Sequence, residues 1–83
     1  MFNSKYIIVT NDYGIITPVI FPDIIEHTRM ATLIGGKIIG AGFCFITPEG
    51  IYSVYGDSVS LELESKPDDA TMLNKYLGVT DPE

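Results

Sequence analysis

The sequence predicts an α+β domain in which a largely antiparallel sheet of about five strands carries two helices, in the order β-β-α-β-β-β-α. Three observations predict this fold. Runs of β-branched and aromatic residues alternate with turns that contain Gly or Pro. The segment 37–47 is apolar on both faces, which is typical of a central strand. Two further segments place apolar residues at helical spacing behind a capping residue.

The chain begins with a predicted hairpin. Residues 5–10 and 15–21 are rich in β-branched side chains and are separated by the turn 11–14. Pro18 lies inside the second strand and cannot donate a ladder hydrogen bond. It should therefore occupy a sheet edge or a bulge.

A helix should follow the hairpin. Asp23 is its predicted N-cap, with Glu26 three residues later completing a capping box, and Gly35-Gly36 should end it. The apolar face of this helix is predicted to consist of Ile24, Ile25, Thr28 and Ala31.

Three consecutive strands are predicted next, over 37–47, 51–55 and 58–64, forming an antiparallel meander. Gly40 and Gly42 share one face of the first, so another element can approach that backbone closely, most simply a packed helix. Alternation in 37–47 and 58–64 assigns the faces. In 37–47, one face is Ile39, Ala41, Phe43 and Phe45, and the other is Ile38, Gly40, Gly42, Cys44 and Ile46; in 58–64, Val59, Leu61 and Leu63 should point inward.

The last predicted element is a helix capped by Ser65, with Pro67 in its first turn and Gly78 after its end. Its buried stripe should be Ala70, Leu73 and Leu77, with Lys75 near its C-terminal end. Residues 79–83 are expected to form a flexible tail. Because the chain is too short for two cores, it is predicted to be one domain.

Composition excludes several classes of protein. Of the 83 residues, 46% are hydrophobic and 19% are charged, which fits a folded chain. The 11 acids outnumber the 5 bases, giving a net charge of −6, so direct nucleic-acid binding is disfavoured. No apolar run is long enough to span a membrane and no secretory signal is recognisable. With a single cysteine, the chain is expected in a reducing cytoplasm.

The acidic excess lies in the second half of the chain. Residues 1–41 contain three acids and three bases, whereas residues 42–83 contain eight acids and two bases. The predicted interaction patch, which would favour a basic partner, is Glu62, Glu64, Asp68 and Asp69. A solvated strand face and a helix N-terminus that favours acids would explain the same residues without any function.

Residues able to carry chemistry are few, and we predict no enzyme, no cofactor and no metal site. His27 and Cys44 are the only residues of their types, and Cys44 lies mid-strand between two Phe residues, where a thiol is expected to be buried and inert. His27 should be a surface or half-buried hydrogen-bonding residue. The glycines near Lys37 fit neither a phosphate loop nor a dinucleotide fingerprint.

Several segments give the chain a resemblance to small uncharacterised proteins encoded by bacteriophages and prophages. The resemblance covers roughly residues 20–78. It implies a short phage gene product in the cytoplasm of a bacterial host, and such proteins often bind or inhibit host machinery. The segments that carry it are Phe21-Pro22 followed by His27, Ala41-Gly42-Phe43, 55–61 (YGDSVSL) and 65–69 (SKPDD).

Two functional hypotheses follow. In the first, the chain is a non-enzymatic protein-binding module whose acidic patch contacts a host protein, such as a nucleic-acid-binding defence protein. In the second, it binds or sequesters a nucleotide-like ligand between subunits near His27, Arg29 and Lys37.

Self-association is also expected. Two helices side by side would cover only one face of a five-stranded sheet, leaving apolar side chains of the other face in water. A two-fold homodimer would cover that face or pair an exposed edge strand. A sheet that curls tightly enough to bury its own second face is the alternative.

Overall fold

The structure, a computed structural model that describes residues 4–78, is an antiparallel sheet of four strands with one helix on each face. The sheet order is β2-β1-β3-β4, and a separate two-stranded hairpin, β5–β6, stands beside β3. The α+β class is as predicted. The elements are β1 (Ser4–Thr10), β2 (Ile16–Pro22), α1 (His27–Ile34), β3 (Lys37–Ile46), β4 (Tyr52–Tyr55), β5 (Asp57–Ser58), β6 (Leu63–Glu64) and α2 (Pro67–Tyr76).

The β1–β2 hairpin forms as predicted. The Asn11 side-chain oxygen accepts the backbone N–H groups of Tyr13 (2.9 Å) and Ile15 (3.0 Å), and Gly14 takes a positive φ of 77°. Strand β2 is the outermost strand of the sheet, so the prediction that Pro18 lies at an edge is confirmed.

Strands β1 and β3 are both central, and a bulge in β3 corrects the predicted faces. Ile8 pairs with Gly40 and Val9 pairs with Ile38, which leaves Ile39 without a partner. The extra residue reverses the alternation at this point. Ile39 therefore packs on the face that holds Cys44, and Ile38 packs on the face that holds Ala41.

The predicted strand over 58–64 is wrong, because most of that segment is a turn. The Ser58 hydroxyl accepts the backbone N–H of Leu61 at 3.3 Å, and Glu62 adopts a left-handed φ of 56°. This local side-chain bond competes with an extended ladder. Leu61 and Leu63 still pack inward, but Val59 is 84% exposed, so the sheet has four strands.

Helix α1 begins three residues later than predicted. The backbone N–H of Ile25 bonds to the Pro22 carbonyl at 3.1 Å, so the chain makes a turn where the helix was expected. Glu26, not Asp23, is the N-cap. Ile24 is 88% exposed and does not belong to the buried face, whereas Gly35 ends the helix as predicted.

Helix α2 closely follows its prediction, except that Lys66, not Ser65, is the N-cap. The Asp69 carboxylate accepts the Lys66 backbone N–H at 3.2 Å, and Pro67 occupies the first turn. Leu73 is fully buried as predicted, whereas Leu77, which was also predicted to be buried, is 44% exposed. The predicted tail, 79–83, lies outside the described residues.

A side-chain amide of α2 covers the edge of β4. Asn74 accepts the Tyr52 backbone N–H at 2.7 Å and donates to the Tyr52 carbonyl at 3.1 Å. The amide thus binds the N–H and the carbonyl that Tyr52 would otherwise offer to a neighbouring strand.

The two helices build separate cores on opposite faces of the sheet. Leu73 of α2 packs with a buried set from β1 and β3, while Met30 and Ala31 of α1 pack on the other side. The expectation that both helices share one face is therefore wrong, because each covers its own face. Self-association stays a prediction. Neither helix in residues 4–78 is long and apolar enough to cross a membrane. The buried sets are Tyr6, Ile8, Cys44 and Leu73 for α2, and Ile7, Val9, Phe21 and Ala41 for α1.

Candidate interaction surface

The segment 57–64, which we name the acidic hairpin, is held to the domain at its base and on its inner side. The Ser65 backbone N–H bonds to the Gly56 carbonyl at 3.0 Å, closing the base. Ser58 is only 2% exposed, and Leu61 and Leu63 pack against the core on the α1 face. These anchors fix the position of the hairpin while its remaining side chains face water.

The outer side of the acidic hairpin carries three exposed carboxylates, on Asp57, Glu62 and Glu64. Asp57 and Glu64 are direct partners across the β5–β6 pair. Like charges placed opposite each other in this way destabilise a strand pair. The stability of the fold therefore does not explain why these two carboxylates face each other. A basic partner would relieve the repulsion between them. In residues 4–78, no group of three or more His, Cys, Asp or Glu residues is arranged to hold a metal ion.

The structure divides the predicted acidic patch. Glu62, Glu64 and Asp68 are exposed, as an interaction surface requires. Asp69 is not part of that surface, because it is only 4% exposed and its carboxylate accepts the Tyr6 hydroxyl at 2.6 Å. Asp57, which the prediction left out, takes its place through the strand pairing with Glu64.

Asp69 and Tyr6 form a buried polar contact between α2 and the sheet. A Cβ atom added to Gly40 would lie 3.1 Å from both carboxylate oxygens of Asp69, so a larger residue at this position would crowd the carboxylate. Burial, strengthened by the neighbouring Asp69, raises the pKa of the Tyr6 hydroxyl well above its usual value. The hydroxyl therefore remains a donor at neutral pH and ties the helix to strand β1.

The predicted ligand site near His27, Arg29 and Lys37 is corrected in the same way. Arg29 and Lys37 are exposed, but His27 is only 5% exposed, which is more buried than predicted. Its Nε2 lies 2.8 Å from the Gly42 carbonyl oxygen. Since a carbonyl only accepts, Nε2 must donate, and this nitrogen is not available to a ligand.

His27 also packs within a row of aromatic rings on the α1 face. Its ring meets Phe21 and Phe43 edge-on, with centroid distances of 5.6 and 5.5 Å. Phe43 stacks in turn on Tyr55 at 5.5 Å. The Lys5 ammonium lies 5.9 Å from the Phe43 centroid and donates to the Ile25 carbonyl at 2.9 Å. The histidine thus fixes the start of α1 to the sheet.

Cys44 is fully buried, as predicted. Burial raises the pKa of its thiol to about 11, so the reactive thiolate is scarce at neutral pH. Together with the position of His27 in the core, this excludes a Cys44–His27 nucleophile in the folded state.

A scan against protein-family models and searches of curated proteins and of solved structures return no match to this chain. The resemblance to phage proteins therefore stays a prediction, and any function has to be argued from the surface itself.

Proposed function

We propose that this chain is a non-enzymatic protein-binding module that presents the acidic hairpin and the adjoining Asp68 to a basic protein partner. The observation that carries the proposal is the opposed pair Asp57 and Glu64, exposed on a hairpin whose base is fixed to the core. A rigid platform that holds like charges together keeps them ready for a cationic surface without further ordering.

The remaining polar chemistry of the described chain supports binding over catalysis. The three side chains best suited to chemistry, His27, Cys44 and Asp69, are all buried and occupied in packing or hydrogen bonds. The exposed acids, in contrast, are available to a partner, because they face solvent and have no role in the core.

A basic partner is the chemistry that fits. The chain carries a net charge of −6, so a partner rich in Lys and Arg is attracted at long range and its encounter is accelerated. In the bacterial setting that the phage resemblance implies, we propose a host nucleic-acid-binding protein. The carboxylates would then bind the surface of that protein that otherwise contacts nucleic-acid phosphates.

Charge reversal on the acidic hairpin tests this proposal. The chain is used as bait in a bacterial lysate at low and high ionic strength, and captured proteins are identified by mass spectrometry. We expect a basic protein to be captured at low ionic strength and released at high, because salt screens exposed charges. The double variant Glu62→Lys with Glu64→Lys should lose it.

The matched control is Glu26→Lys with Glu49→Lys, which makes the same change in net charge at two exposed acids outside the hairpin. This control should retain the captured protein. If both double variants lose it equally, total charge and not the acidic hairpin governs binding. Capture that is insensitive to both reversal and salt removes the hairpin from the function.

A further inference from the structure

The outer side of the sheet at β2 carries a set of exposed apolar side chains that the acidic hairpin does not explain. Five large side chains are involved, and we name them the β2 patch. Two are prominent: Tyr13 at the hairpin tip is 89% exposed and Ile15 beside it is 58% exposed. The β2 patch consists of Tyr13, Ile15, Ile16, Ile34 and Tyr76.

Two grooves run along β2, one on each face of the sheet, and between them they are lined by every member of the β2 patch except Tyr13. The groove on the α2 face has a volume of about 400 Å³ and lies between Ile16 and Pro18 on the strand and Met72 and Tyr76 on the helix. The groove on the α1 face, of about 240 Å³, brings Ile15 next to Ile34.

We infer that the β2 patch is the contact surface between two copies of this chain related by a two-fold axis. A two-fold contact uses the same surface on both copies, so that surface must hold both protrusions and recesses. The β2 patch does: the exposed rings and Ile15 protrude beside two grooves lined by apolar side chains. A contiguous apolar surface of this kind marks an interaction site.

Local charge favours a second copy as the occupant. Near the β2 patch lie the exposed acid Asp12 in the hairpin turn and two exposed bases, Lys37, which pairs with Thr10, and Lys75 in the groove wall. With both signs present, a two-fold contact can bring Asp12 of one copy near Lys75 of the other. The acidic hairpins, which stand beside β3, remain on the far side of each copy.

Side chains, more than backbone pairing, should carry this contact. Pro18 and Pro22 are four residues apart along the edge strand, so they face the same way, and prolines of edge strands direct their missing N–H toward the outer side. A continuous ladder between two β2 strands would therefore lack donors. The apolar side chains and the two grooves remain as the source of affinity.

Sedimentation equilibrium of the whole chain from micromolar to millimolar concentration tests the inference. The mass of the wild type should rise from 9.1 kDa toward twice that value. Ile15→Lys should raise the dimer dissociation constant by roughly tenfold or more, because it places a charge in an apolar contact. Val59→Lys is the matched control, since its 84% exposed side chain lies in the acidic hairpin, and it should leave the dimer unchanged.

Cross-linking gives a second readout, which measures the proximity of two chains and not their affinity. Buried Cys44 does not compete for a thiol reagent, so Asp12→Cys provides one reactive site per chain beside the β2 patch. A short bis-maleimide should join two Asp12→Cys chains and should not join Glu49→Cys chains. A wild-type mass that stays at 9.1 kDa, equal weakening by Val59→Lys, or equal cross-linking at both positions would overturn the inference.

Discussion

The two faces of the sheet hold their helices by different means. On the α2 face, two side chains meet: the Tyr6 hydroxyl donates to the Asp69 carboxylate, and the fully buried Leu73 fills the core beside them. On the α1 face, the His27 ring donates to a backbone carbonyl, that of Gly42, and the apolar side chains that the helix adds, Met30 and Ala31, are only half-buried. Each helix is thus anchored in or next to its first turn by one buried polar residue. The anchor of α2 differs because it is a charge-assisted bond and needs two side chains, Tyr6 and Asp69.

This difference predicts which helix should detach from the sheet first. A charge-assisted bond between buried side chains contributes more than a bond between neutral groups, and a fully buried Leu contributes more than half-buried Met30 and Ala31. We therefore expect α1 to open locally before α2, at a lower free energy.

The largest effect is expected from deleting the core contact of α2. Leu73→Ala should lower the free energy of unfolding by about 2 to 5 kcal/mol, since a fully buried Leu leaves a cavity. Met30→Ala on the α1 face should cost about 1 to 2 kcal/mol, because that side chain is half-buried. Urea denaturation measures both, and equal losses would contradict the difference between the faces.

The polar anchors should show a smaller difference in the same order. Tyr6→Phe leaves the buried Asp69 without its phenol partner and should cost about 1.5 to 3 kcal/mol. His27→Phe keeps an aromatic ring but removes the bond to Gly42, and should cost about 0.5 to 1.5 kcal/mol. Tyr13→Phe, at an exposed ring, is the control and should change nothing measurable in the same denaturation series. A reversed order would place the stronger anchor on the α1 face.

A dependence on alkaline pH is expected from the α2 face. The thiol of Cys44 has a pKa of about 11 in the folded chain, against an ordinary value of 9.0, because burial disfavours the thiolate. Between these values the unfolded chain loses a proton that the folded chain keeps, so stability falls as pH rises from 9.0 to about 11. Below pH 9.0 the full contribution is present.

Cys44→Ala removes this titration. The variant should show a flatter stability profile across that alkaline range in denaturation experiments at stepped pH. Some slope should persist at higher pH, since the pKa of the Tyr6 hydroxyl is also raised. A profile unchanged by the substitution would show that Cys44 is not the group responsible.

Local sequence patterns predicted most of the strands and α2, because their signals lie within a few residues. Pro18 at the edge and Pro67 in the first turn of α2 are examples. Gly40 also correctly indicated that a helix approaches β3 closely, since its neighbour is Asp69 of α2, whereas the neighbours of Gly42 include Ser65, which precedes that helix.

The errors arose where a contact distant in sequence or a single side-chain bond outweighed the pattern. Asp69 resembles any acid at a helix N-terminus, and only Tyr6, 63 residues away, makes it a buried group. The Ser58 hydroxyl turned an alternating segment into a hairpin, and the bulge at Ile39 reversed the face of its neighbour. These outcomes depend on tertiary packing, which alternation and capping rules do not contain.

The Asn74 side chain on the backbone of Tyr52 has a consequence for how far this chain can assemble. Because that amide binds both the N–H and the carbonyl of Tyr52, a further strand cannot pair with β4 at this residue. A symmetric pair that uses the β2 patch would bury that patch on both copies. Growth would then stop at two chains, which makes a finite particle and not a filament the natural end point of association.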